Sequence, residues 1–304
     1  MPRSRATFVL ALAGATSGCG RLRFADLGDG DAIVATDTKP DAPPCTFGAW
    51  AAPTHQTTVS AVGALDSGPS MSGDGRSLVF ASNREDAVNL RIYLSERAST
   101  ADPWPAPSVV TISSNEILGD DPQITDDGLT LMWTTASNAV IATSSRPARG
   151  APWSAFHTLL GDGVLYTGAE APSLSADAHT LYFTATARST GLIDMYVTTR
   201  VSTADGFPDA SPVPGLDPAI QAQFGSVGVH GLDLVYQEQS NYQFYEATRA
   251  TTSDPFGAAL VPSAFAFDDT AVDASLSSDG TTLWYGSTIQ SSDYDLYEST
   301  RPCT

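Results

Sequence analysis

A single lysine, Lys39, stands in the whole chain, and Lys and Arg together number only 15 against 34 Asp and Glu. The resulting formal charge of -19 repels phosphate backbones and anionic lipid heads, so nucleic acid is excluded as a partner class. Histidine is nearly as scarce. His55, His157, His179 and His230 are scattered without the spacing of metal ligands. No G-x-S-x-G nucleophile elbow and no Gly-rich phosphate loop is present, so neither motif assigns a catalytic residue, and no resident cofactor is expected. Calcium is admissible, since Asp293-Tyr294-Asp295 could contribute carboxylates, but no calcium-loop motif supports it. Long apolar runs are missing too: the strongest, residues 6–15, is too short to span a bilayer.

That run instead lies where an export signal would. Arg3 and Arg5 precede it, and Thr16, Ser17 and Gly18 follow it before Cys19. This ending resembles the lipobox of bacterial lipoproteins, with Thr16 where Leu is usual. The resemblance implies a signal peptide over 1–18, lipidation of Cys19 and a membrane anchor through that lipid. Residues 19–44, rich in Asp, Ala, Thr, Gly and Pro, read as a flexible tether. With Cys19 lipidated, Cys45 and Cys303 remain as an even pair, and a disulfide between them is predicted in an oxidising compartment.

What the chain has in abundance is one repeated phrase. Copies begin at Pro69, Pro122, Pro172, Gly225 and Ala274, a period of about 50 residues. Each opens on a short run (70–72 in the first copy) and passes an Asp-Gly turn such as Asp74-Gly75, Asp127-Gly128 or Asp279-Gly280. An apolar run follows: Leu78-Val79-Phe80, Leu131-Met132-Trp133, Leu181-Tyr182-Phe183, Leu234-Val235-Tyr236 and Leu283-Trp284-Tyr285. Strands without alternation are covered on both faces, as in blades packed between neighbours.

A third run ends on Arg97, Arg146, Arg200, Arg249 or Arg301. Seven residues beyond the first four arginines stand Trp104, Trp153, Phe207 and Phe256, each expected to open an outermost strand. Trp50 has no arginine before it and Arg301 no aromatic after it. Splicing 302–304 onto 47–50 restores the spacing of seven. The fold class predicted is therefore all-β, a five-bladed β-propeller over 45–304 whose last blade is closed by the N-terminal strand.

The runs P-S-M-S-G-D-G-R-S-L-V-F-A-S-N-R and A-S-L-S-S-D-G-T-T-L-W-Y-G-S resemble the WD-repeat-like "PD" propeller repeat of the TolB-type family. That resemblance implies a β-propeller in the cell envelope that binds a protein or peptide. With the lipobox it implies an exported, outer-membrane lipoprotein facing the periplasm or the cell surface.

Strand alternation puts the Asp-Gly turns at one end of the ring. The other end should gather Asp66, Asp120, Asp121, Glu170 and Asp273 before the first strands, rimmed by longer loops at 82–89, 185–193 and 287–293. Two uses of these carboxylates are open. They cap turns or pair with the repeat arginines, or they form an acidic funnel for a cation, an amine or a basic peptide. A carbohydrate-active enzyme using channel-mouth carboxylates is the alternative to a non-catalytic binding protein.

Overall fold

Leu78, Val79 and Phe80 are completely buried, and so are Leu234, Val235 and Tyr236. A strand can hide both faces only between two other layers, and the sheet topology shows how this chain supplies them. The computed structural model describes residues 46–304, except 138, 218, 229, 263–270 and 290–292. The chain divides into Met1–Pro44 and Cys45–Thr304, and the description below concerns the second unit. The predicted signal peptide, Cys19, the predicted tether and Cys45 lie outside the described residues.

The chain starts at β1 (Thr54–His55) and enters a first sheet of β2 (Asp66–Met71), β3 (Ser77–Ser82), β4 (Arg91–Glu96) and β5 (Ser108–Val109). A small hairpin, β6 (Thr111–Ile112) and β7 (Asn115–Glu116), leads onward. The second sheet holds β8 (Gly119–Ile124), β9 (Thr130–Thr135), β10 (Ile141–Ser145) and β11 (His157–Leu160). The third holds β12 (Tyr166–Leu174), β13 (Thr180–Ala187), β14 (Ile193–Thr199) and β15 (Ser211–Pro212). In the fourth, β16 (Ala222–Val227), β17 (Asp233–Glu238) and β18 (Phe244–Thr248) are joined at the edge by a bridge from Glu246 to Leu260. The fifth holds β19 (Val272–Leu276), β20 (Thr282–Ser287) and β21 (Asp295–Thr300), with β1 as its outer strand.

The protein is thus a five-bladed β-propeller closed head to tail. Thr54 pairs with Glu298 and His55 with Tyr297. Further along the seam Thr46 N donates to Thr304 O at 3.0 Å, and Gly48 N to Pro302 O at 2.9 Å. Five apolar clusters fill the gaps between blades, including one between the fifth blade and the first (Leu78, Phe80, Trp104, Trp284, Leu296). An open row of five blades would have only four such gaps. Each fully buried Leu or Phe in these gaps contributes about 1.5–3 kcal/mol.

The arginine-to-aromatic spacing has a specific cause. Each repeat arginine donates from Nε to the carbonyl of the tight turn: Arg97 to Gly75, Arg146 to Gly128, Arg200 to Ala178, Arg249 to Gly231 and Arg301 to Gly280. The same guanidinium lies over the aromatic ring seven residues on, at 4.0 Å for Trp104 and 4.5 Å for Trp153. Arg301 lies over both Phe47 and Trp50, at 3.7 and 4.3 Å, so the seam repeats the clamp across the chain ends. These aromatics do not open the outer strands. β1, β5, β11 and β15 begin four residues later, because the ring must first cover the guanidinium.

Two other expectations shift. The inner strands begin before the repeat's Pro rather than after it, as β2 does at Asp66. The 185–193 segment is not a long loop, since β13 runs to Ala187 and β14 starts at Ile193.

Candidate functional site

All five inner strands break register at the same place, where they line the axis of the ring. The breaks fall between Ser67 and Ser70, Asp120 and Gln123, Glu170 and Ser173, Gln223 and Ser226, and Val272 and Ser275. Each bulge contains one residue at positive φ: Gly68 at 55°, Asp121 at 47°, Ala171 at 48°, Phe224 at 49° and Asp273 at 55°. Left-handed backbone at a non-glycine residue is strained by about 1–3 kcal/mol. Here the strain recurs in every blade, so the bulge belongs to the ring rather than to one site.

The repeat's opening residues serve this geometry. Pro69, Pro122 and Pro172 follow the bulged residue and have no N–H to leave unpaired. The next side chain then accepts a backbone N–H from the following blade. Ser70 Oγ takes Ile124 N, Gln123 Oε1 takes Leu174 N, Ser173 Oγ takes Val227 N and Ser226 Oγ takes Leu276 N, at 2.7–3.2 Å. At Gly68 a side chain would press within 3.0 Å of the Asp121 backbone, so glycine is required where the first two blades converge.

The bulged residues and their two successors from all five blades line an axial channel of about 350 Å³, counting the space open to solvent. Asp121 and Asp273 are its acidic lining residues. Both stay partly accessible through the channel while protein surrounds them.

The bulged N–H groups need acceptors, and the acceptors explain two of the acids. Ala171 N donates to Thr134 Oγ1 and Phe224 N to Thr184 Oγ1, each from the middle strand of the preceding blade. In the first and fifth blades the matching middle-strand residues are Ala81, which pairs near Ser67, and Gly286, which pairs with Val272. Neither offers a hydroxyl. Asp121 N donates instead to Asp120 Oδ1 at 2.9 Å, and Gly68 N to the Asp273 carboxylate. Asp120 also accepts from Ser67 Oγ at 3.4 Å.

Electrostatics bind four of the five predicted carboxylates into one group. Burial raises the Asp120 carboxyl above its usual range. Asp121 is pushed well above by burial and then by Asp120, Asp273 and Glu170. Asp273 rises to about 8, through burial and the Asp120 charge. Glu170 rises through burial and the same charge. Asp121 accepts from Thr134 Oγ1 at 3.1 Å. Among the described residues no Arg, Lys or His pairs with any of the four.

Asp66 does not join them. It is fully buried, sits one strand position earlier than Asp120, and pairs with Arg84 at 2.8 Å while accepting Ala61 N at 2.7 Å. The repeat arginines use other carboxylates: Arg146 pairs with Glu96 and Arg301 with Glu246, each in the preceding blade. Among the described residues no cluster of three or more His, Cys, Asp or Glu is arranged to hold a metal ion. Thr134 and Thr184, the acceptors for the bulges of the third and fourth blades, were not singled out from the sequence. Their signal is a Thr on the apolar middle strand, opposite the bulge.

These features define a five-bladed propeller with an uncompensated acidic channel. No protein-family model and no curated protein matches the chain. Among solved structures it is similar to a GH62 hydrolase in complex with xylotriose, with a TM-score of 0.59 at 11% identity, covering 83% of this chain and 97% of that one. The catalytic domain of the Coprinopsis cinerea GH62 α-L-arabinofuranosidase gives 0.57 at 13%, covering 83% and 96%. TolB from Acinetobacter baumannii gives 0.47 at 14%; the alignment covers 79% of this chain and 54% of that one, so this chain spans about half its length. At these identities the likeness is one of fold.

Proposed function

We propose that this chain is an exported, lipid-anchored, non-catalytic propeller that binds a protein or peptide partner through the acidic end of its channel. The observation that carries the reading is the group Asp120, Asp121, Glu170 and Asp273, whose charges oppose one another with no basic side chain among their described partners. A lysine, arginine or terminal amine would relieve that repulsion, which is the chemistry of a basic segment. Residues 1–18 direct export, Cys19 carries the lipid, and 19–44 tether the ring to the outer membrane. The ligand test is titration with a Lys-bearing peptide and its Gln counterpart, against wild type and Asp121→Asn/Glu170→Gln. Lys-dependent binding lost in the variant supports the reading; equal binding of both peptides rejects it. Metabolic labelling with palmitate, absent in Cys19→Ser, tests the anchor.

A second reading, a glycosidase, is favoured by one observation: carboxyls raised by burial lie in a propeller channel, as a general acid would require. Retaining and inverting mechanisms both need one carboxyl protonated and another ionised. Here burial pushes all four in the same direction, and Asp120 and Asp273 already serve backbone N–H groups. Hydrolysis of an aryl α-L-arabinofuranoside, abolished in Asp121→Asn, would establish the enzyme and displace the binding protein.

A further inference from the structure

The exposed apolar side chains are not spread evenly over the ring. β2, β8, β12, β16 and β19 run from the acidic end toward the tight turns, so loops after each second strand and connections between blades share the acidic end. Val88, Leu192, Tyr242 and Ile289 stand exposed on the loops of the first, third, fourth and fifth blades. Val62 and Val164 stand exposed on the connections into the first and third blades. At the tight-turn end the counterparts among the described residues are Val201 and Phe156, which directly precedes β11. Single exposed apolar residues are ordinary, but six on the loops and connections of one end, the end that also holds the acids, single that end out as the one suited to an apolar partner.

We propose that these loop tips form a docking rim for a partner segment in which a lysine or arginine is flanked by aliphatic or aromatic residues. The inference rests on the acidic-channel reading above and adds the chemistry of the flanks. Charge complementarity selects the occupant. The acids at the centre call for a cation, and the apolar tips around them call for apolar neighbours on the same segment. A second copy of this chain would bring another -19 against the same face. An anionic bilayer is repelled for the same reason, so a basic peptide is the occupant that satisfies centre and rim together.

The test uses fluorescently labelled decapeptides carrying one central Lys flanked by Leu, the same Lys flanked by Ser, and the Leu-flanked form with Gln for Lys. Phosphatidylcholine and phosphatidylglycerol vesicles serve as the membrane arm. Wild type should bind the Leu-flanked Lys peptide about tenfold tighter than the Ser-flanked one. The rim variant Val88→Ser/Val164→Ser/Leu192→Ser should lose that tenfold but keep its preference for Lys over Gln. Asp121→Asn/Glu170→Gln should lose the Lys preference and keep the Leu preference. Equal affinity for Leu- and Ser-flanked Lys peptides overturns the rim and leaves the acidic site standing. Absence of any Lys preference overturns the acidic site and the rim's partner with it. Vesicle binding removed by the rim variant, without a peptide flank preference, assigns the rim to a membrane and overturns the proposal.

Discussion

Replacing Asp273 by Asn should stabilise this protein, and increasingly so as the pH rises. In the fold Asp273 is protonated up to about pH 8, against 3.8 for the free side chain, because burial and Asp120 oppose its ionisation. Folding therefore takes up a proton at neutral pH. The stability linked to that proton is complete below about pH 4 and drains away as the pH climbs toward 8. At 1.36 kcal/mol per unit the ceiling is about 6 kcal/mol. Access of channel water to the carboxyl brings this to about 1–3 kcal/mol. The amide oxygen of Asn can still accept the Gly68 N–H, so the bulge keeps its acceptor while the charge is removed. At about 2–4 °C per kcal/mol for a domain of this size, Tm of the variant should exceed that of wild type by about 2–12 °C at pH 8. The gain should vanish near pH 4. Thermal unfolding of both proteins at pH 4, 6 and 8 measures the difference directly, since carboxyls away from the channel that are held low, such as Asp74 and Asp279, contribute equally to both. A difference independent of pH, or a variant less stable at pH 8, would refute the account of a mutually repelling channel.

Three further outcomes follow from packing. Arg301→Ala removes a buried clamp that holds the Gly280 carbonyl and two rings and strands Glu246, so urea denaturation should show a loss of about 3–5 kcal/mol. Arg200→Ala, whose guanidinium has the carbonyls of Ala178 and Asp205 and the Phe207 ring but no carboxylate pair among the described residues, should lose about half as much or less. Gly119→Ala would place a methyl 2.3 Å from the Thr134 carbonyl oxygen and should destabilise by about 1–3 kcal/mol, while Gly161→Ala, with only Val140 at 3.7 Å, should stay within about 0.5. Thr46 and Thr304 exchange backbone hydrogen bonds beside the proposed Cys45–Cys303 disulfide, so Cys303→Ser should abolish the mobility shift on reduction and lower stability by about 2–5 kcal/mol.

The architecture was legible because it is stated five times over. A tight turn, a doubly covered strand and an arginine seven residues ahead of an aromatic repeat often enough to reveal a degenerate copy, and the spacing across the chain ends supplies the closure. The bulge was hidden because its residue varies: Gly68, Asp121, Ala171, Phe224 and Asp273 share a backbone conformation and no side-chain chemistry. That concealment decided the site. Asp121 stands directly before Pro122, and its bulge turns it into the channel, whereas Asp66 stands three residues before Pro69, outside the bulge, and lies under Arg84. The outer strands were misplaced by four residues for a related reason, since the covering of each arginine is a tertiary demand that a strand pattern does not contain.

The bulge also separates the acids that the ring needs from those it does not. Blades joined through Thr134 or Thr184 satisfy the next bulge with a hydroxyl, and blades whose middle strand offers Ala81 or Gly286 use Asp120 or Asp273. Those two carboxylates have a backbone role whatever the protein binds. Asp121 and Glu170 have no such duty, and both are raised by burial and then by the charges around them. Asp121 is moreover joined to the third blade through Thr134, which donates to its carboxylate and accepts Ala171 N. A cation drawn to Asp121 would ionise it and strengthen that donation, tightening the junction between the second and third blades. Ligand occupancy and the cohesion of the ring therefore meet at one hydroxyl, and a Thr134→Val change should weaken both together.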